Sequence, residues 1–99
     1  MSENIVYVGS KPLMTYITAV LTCLNRKPEQ AILKARGRAI STAVNVAETT
    51  RHRFIANLTS TVIIGCEKMP RKRGGTNNVS TIEITLTKAP RPPNPGGVS

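Results

Sequence analysis

Ninety-nine residues leave room for one domain with a modest core, and 39% apolar residues are enough to fold it, although Tyr7, Tyr16 and Phe54 are the only aromatics. Fourteen Lys and Arg face five acids, all glutamate, for a formal net charge of +9; that imbalance points to a polyanionic partner, nucleic acid or an anionic membrane surface. One histidine, no aspartate and two distant cysteines supply neither a metal-ligand set nor a nucleophile with its base, so no enzyme, metal or cofactor is expected.

The first strand is expected over Ile5 to Val8, ending at Gly9. Ser10 then offers a helix cap, with Pro12 in the first turn. Leu13, Tyr16, Ile17, Val20, Leu21 and Leu24 recur at helical spacing, predicting a first helix to about Asn25. Arg26 to Glu29, with Pro28, turn the chain out of it. Ala31 to Ala35 read as a second strand. A second helix is expected from Ala39 to about Phe54, with Ile40, Ala43, Val44 and Ala47 on its apolar face, broken at Ala56 and Asn57.

Leu58 to Met69 read as a long strand whose core run is Val62, Ile63 and Ile64. Pro70 to Asn78, PRKRGGTNN, read as a hairpin loop. Val79 to Lys88 alternate strictly, with Ile82, Ile84 and Leu86 on one face and Thr81, Glu83, Thr85 and Thr87 on the other. The last eleven residues, 89–99, hold four prolines and two glycines and are expected to form a flexible tail behind a single domain at 1–88. Cys23 and Cys66 each lie in an apolar run and are expected to be reduced and buried, a disulfide or a redox role being the alternative. No apolar run reaches transmembrane length and no leader opens the chain, so a soluble, cytoplasmic protein with no membrane partner is expected.

The order β-α-β-α-β-β gives an α/β two-layer sandwich. Each helix returns the chain, so the first three strands should run parallel and end at one edge of the sheet. Ser10 and Lys11, then Lys34, Arg36 and Arg38 of KARGRAIS, then Arg71, Lys72 and Arg73 of the hairpin are expected to gather there as a nucleic-acid-binding surface. Helix N-termini favour anions, and guanidinium forks match phosphate oxygens. Arg36 and Arg38, two apart, would point the same way if extended. The hairpin strands, at roughly ten residues each, span about 33 Å, so the arm should project from the body. His52, between Arg51 and Arg53, reads as surface or interface packing. Phe54 reads as core, or else as an exposed patch joining copies of the molecule.

Three segments, VYVGSKPLMTYITAVLT, ILKARGRAISTAVNVAETTRHRFI and VSTIEITLTK, resemble the Alba family of small basic chromatin proteins, and the likeness runs from Asn4 to Lys88. KARGRAIS is its most specific part. The resemblance implies a fold like the C-terminal domain of translation initiation factor three, and a homodimer on double-stranded DNA, with RNA also bound by many members. It implies that Lys11, Arg36 and Arg38 face the backbone from the dimer body and that Arg71 to Arg73 reach the flanking minor grooves. It implies that His52, Arg53 and Phe54 lie where dimers pack side by side on DNA, which favours the interface reading of Phe54. The family pattern has a lysine pair after the first-strand glycine, the first lysine being an acetylation target. Here Ser10 stands in that place, leaving Lys11 as the candidate for acetylation and a deacetylase as a further partner.

The function expected is that of a chromosome-associated architectural protein that neutralises phosphates with little regard for sequence. The alternatives are an RNA-binding subunit, such as part of a ribonuclease P-like particle or an RNA chaperone, and, from another class, a nuclease. Scarce aromatics argue against a platform for stacking single strands, and the missing ligand set argues against the nuclease.

Overall fold

The computed structural model describes residues 4–27 and 29–88. The expected tail at 89–99 and Pro28 lie outside these. The chain forms β1 (Ile5–Tyr7), α1 (Leu13–Leu24), β2 (Gln30–Arg36), α2 (Ala39–Thr49) with a π-helical turn at Thr50–Phe54, β3 (Leu58–Pro70) and β4 (Thr76–Lys88).

The four strands make one sheet in the order β1-β2-β4-β3. β1 and β2 are parallel, and β4 runs antiparallel to both of its neighbours, β2 and β3. β1, β2 and β3 therefore point the same way, as expected, with β4 inserted between β2 and β3. The sheet buries one face only. Val6, Ala31, Leu33, Ala35, Ile82, Ile84 and Leu86 alternate inward against Tyr16, Ile17, Val20 and Leu24 of α1 and Ala43, Val46 and Ala47 of α2. The alternation read in β4 is borne out. The opposite, open face carries Tyr7, Lys34, Arg36, Thr81 and Glu83.

Several expectations are corrected. The core face of α2 is rotated: Ala43, Val46, Ala47 and Thr50 are buried, whereas Val44 is 40% exposed. Ala43 and Ala47 let the helix lie close to the sheet, and Val46, three residues after Ala43, fills the space between them. Ser10 does not cap α1; Pro12 occupies the cap position and makes no side-chain cap bond. The Tyr16 hydroxyl instead accepts the backbone N–H of Gly9 at 2.8 Å and of Lys11 at 2.9 Å. Cys23 is buried, but Cys66 is exposed, and both thiols are free.

The largest correction concerns β3. Val62, Ile63 and Ile64 are 53%, 58% and 77% exposed, not core. β3 is the edge strand beside β4, beyond the cover of the helices, so both of its faces meet solvent along most of its length. The hairpin loop is also shorter than expected. Pairing runs out to Pro70↔Thr76, which leaves five loop residues, Arg71 to Gly75. Gly74 and Gly75 turn the chain with φ of 93° and 79°, backbone that a side chain would strain. Arg71 Nε donates to Asn77 Oδ1 at 2.7 Å, so Asn77 belongs to the ladder rather than the turn.

Candidate nucleic-acid interface

Three connections leave the common edge where β1, β2 and β3 end. The first is residues 8–12 and the second is Gly37–Arg38. Gly37, at φ 59°, closes the second: its N–H donates to Ser80 O at 2.9 Å and its carbonyl accepts the Ile40 N–H at 3.2 Å. This turn changes the relation between the two arginines. Arg36 ends the strand, while Arg38 already has helical backbone at φ −67° and ψ −19°. They are not two rungs of one extended strand, yet they meet all the same. Gly9, Ser10, Arg36, Arg38, Ala39 and Thr42 line a shallow recess of about 460 Å³. Lys11 is exposed beside it. Thr42 was not singled out from sequence, although its place one turn into α2 is the available signal.

Both helices begin at this rim with a cation and no acid: Lys11 precedes α1, Arg38 precedes α2, and neither first turn holds a carboxylate. The positive end of a helix favours the opposite choice. The arrangement sacrifices a few tenths of a kcal/mol of helix stability per end. An anion seated there would be held by charge and by the helix dipole together.

The third connection is separate. β3 and β4 pair beyond the level of Arg36↔Thr81 and Gly65↔Thr81 through five more rungs, Cys66↔Ser80 to Pro70↔Thr76. That carries Arg71, Lys72 and Arg73 about 16 Å past the rim. The rim gathers Ser10, Lys11, Arg36 and Arg38, and the arm cations stand apart from it on a projecting ribbon.

Lys34 and Arg36 point to the open face of the sheet, and each has an acidic neighbour that sequence reading missed. Arg36 Nη1 pairs with Glu67 Oε1 at 3.0 Å and also approaches Met69 Sδ at 3.5 Å. Lys34 Nζ lies 3.9 Å from Glu83 Oε1. The alternation in β4 signals Glu83, whereas Glu67, thirty-one residues from Arg36, leaves no local trace.

His52, Arg53 and Phe54 sit on the π-helical turn, at the end of α2 away from the rim. The Ile55 N–H reaches back to Thr50 O at 2.9 Å. This widened turn places His52 and Arg53 in solvent and leaves Phe54 48% exposed, so the core reading of Phe54 does not hold. Glu48 pairs with His52 at 3.0 Å and Arg51 at 3.3 Å. No group of three potential metal ligands occurs among the described residues, and none of the described helices is long and apolar enough to cross a membrane.

A one-sided α/β sandwich with a basic rim and a long hairpin arm defines a class of small basic α/β proteins. The Alba family model matches residues 4–68, and the chain belongs to the Alba family. The chain is 48% identical over 87 residues to "DNA/RNA-binding protein Alba" of Thermoplasma volcanium, an alignment covering 87% of this chain and 97% of that protein. It is 48% identical over 89 residues to "DNA/RNA-binding protein Alba 1" of Archaeoglobus fulgidus, covering 89% and 99%. Among solved structures, Alba from Thermoplasma volcanium superposes with a TM-score of 0.79 at 47% identity, covering 85% of this chain and 99% of that one. ALBA1 from Trypanosoma brucei shares the fold, with a TM-score of 0.64 at 22% identity, covering 90% and 73%.

Proposed function

We propose that this protein binds nucleic acid through the phosphate backbone, with double-stranded DNA as its main partner and little sequence preference, and that it serves as an architectural component of the chromosome. The observation that carries this reading is the pair of cation-headed, acid-free helix N-termini brought together at one rim. Folding alone favours acids there, and phosphate suits the cations. The names of the relatives agree with it. No described helix carries an array of base-reading side chains, and the rim cations stand where β2 ends and where the two helices begin, so backbone contact outweighs base readout.

The working unit in this reading is a homodimer. Val62 and Ile64 face the helix side of β3 without cover, with Val44 of α2 also exposed. A second copy laid against them would bury an apolar surface that a lone chain leaves wet. The arms would then project from one particle, with Arg71 to Arg73 reaching flanking grooves. His52, Arg53 and the half-exposed Phe54 would join dimers side by side. Acetylation of Lys11 would remove one rim charge, and a deacetylase would restore it.

A second reading, RNA as the cellular partner, draws on the relatives' shared name, since phosphate contact serves either polymer. The test has two arms. Affinities for a panel of unrelated duplexes of equal length should agree within about tenfold and fall steeply with salt; a thousand-fold spread refutes the backbone reading. Crosslinking in cells, followed by sequencing of the attached strand, assigns DNA or RNA, and recovery of RNA alone refutes the chromosomal role.

A further inference from the structure

The open face of the sheet holds a second recess, of about 440 Å³, that the rim does not use. Gly65 of β3 and Thr81 of β4 lie directly opposite each other in its lining. The β3–β4 ladder is unbroken from Leu58↔Lys88 to Pro70↔Thr76, so Gly65 marks no bulge. It is not among the residues of positive φ, so its backbone does not need glycine either. A glycine inside a regular strand weakens it and packs nothing, and such positions recur where something approaches the backbone closely. A Cβ at this position would stand 3.1 Å from Thr81 Oγ1 and would begin to fill the recess.

The walls say what would approach. Tyr7 of β1 leaves 71% of its surface exposed, and Ile63 is also exposed. The Lys34–Glu83 and Arg36–Glu67 pairs flank the floor. Two cations and two carboxylates make the recess neutral overall. That suits a flat, uncharged group with donors and acceptors along its edge better than a phosphate. Arg36 lines both this recess and the rim recess of Ser10 and Arg38. A nucleotide whose phosphate met Arg36 at the rim would have the recess on the open face within reach of its base.

We propose that this recess takes one unpaired nucleobase of a single-stranded or looped nucleic acid, stacked on Tyr7, with its pairing edge read by the two ion pairs. The site is distinct from the backbone grip proposed above, because a base within a duplex has neither a free pairing edge nor an open face for Tyr7 to stack on. Three aromatics are too few for an extended stacking platform, but one exposed tyrosine beside a neutral recess is enough for one base.

The experiment uses the full chain and two end-labelled probes, an unstructured single-stranded oligonucleotide and a duplex of the same length, read by fluorescence anisotropy. Tyr7→Ala should weaken single-strand binding by roughly 5- to 150-fold, the range for losing one stacked base. Tyr7→Phe should retain it within about twofold, since the ring face is kept. Gly65→Val, which suits a strand and fills the recess, should weaken it as Tyr7→Ala does, while duplex affinity stays at the wild-type value throughout. Thermal melts check the fold, and Tyr7→Ala decides alone if the valine variant does not fold. Single-strand affinity unmoved by Tyr7→Ala overturns the proposal. A parallel loss on the duplex also overturns it, by placing Tyr7 in the backbone grip. Wild-type protein that holds the single strand and ignores the duplex would defeat the backbone reading and leave this site standing.

Discussion

Replacing Arg36 and Arg38 together by alanine tests the rim directly. Folding should survive. Arg36 and Glu67 are 56% and 53% exposed, and a pair so open to solvent contributes under about 1 kcal/mol. Arg38 heads α2, where its charge opposes the helix dipole, so its loss is neutral or favourable by a few tenths of a kcal/mol. Binding should change in a defined way. Each phosphate contact adds about 0.9 to the slope of log affinity against log salt, so losing two contacts flattens it by about 1.8 per protomer. Between about 50 and 200 mM salt, wild type should then lose about twelvefold more affinity than the variant for each protomer engaged. The assay is anisotropy on several unrelated duplexes across that salt range. An unchanged slope, or a loss confined to one sequence, refutes the argument. Glu67→Gln supplies the converse: with its acidic partner gone, Arg36 is free, and affinity at low salt should rise roughly two- to fivefold. A fall instead would mean that Glu67 positions Arg36 for its ligand rather than competing with phosphate.

Four further perturbations separate fold from function. Leu86→Ala, at a fully buried site, should cost about 3 kcal/mol and lower Tm by roughly 15 °C in calorimetry. If the proposed homodimer forms across β3, Ile64→Glu should leave the single-chain fold intact but raise the dimer Kd by about three orders of magnitude in sedimentation, because two-fold symmetry would bring the acid in twice. Gly37→Ala should lower stability by about 1 kcal/mol in denaturant melts through backbone strain, since its Cβ would meet Val79 at an ordinary 3.7 Å; Gly37→Asn should lose less. Exchanging Arg71, Lys72 and Arg73 for alanine should weaken duplex binding less than the rim double variant does in the same titration, because the arm stands beyond the body.

Much of this molecule was legible before its structure. The 3.6-residue spacing in α1 and the two-residue spacing in β4 each reported a buried face, because one neighbour layer decides which side chains go inward. Strand direction followed from the helical crossovers, and with it the rim. The misreadings share a cause. Val62, Ile63 and Ile64 look like core because apolar composition does not say whether a strand lies under the helices or at the uncovered edge of the sheet. Val44 was placed inward because a helical face one position off in rotation fits the same pattern nearly as well. Asn77 and Asn78 favour turns in isolation, but a long ladder and the Arg71 bond hold them extended. The pairing of Arg36 with Glu67 and the floor at Gly65 depend on register across β2, β4 and β3, which no local pattern records.

The Tyr16 hydroxyl has a consequence for control. By taking the amide hydrogens of Gly9 and Lys11, it ties the loop before α1 to the helix that follows. Those amides are already engaged, so whatever attraction these two residues exert comes from the tip of the lysine side chain. An enzyme that edits that tip would turn the attraction down like a dimmer and leave the loop's shape untouched.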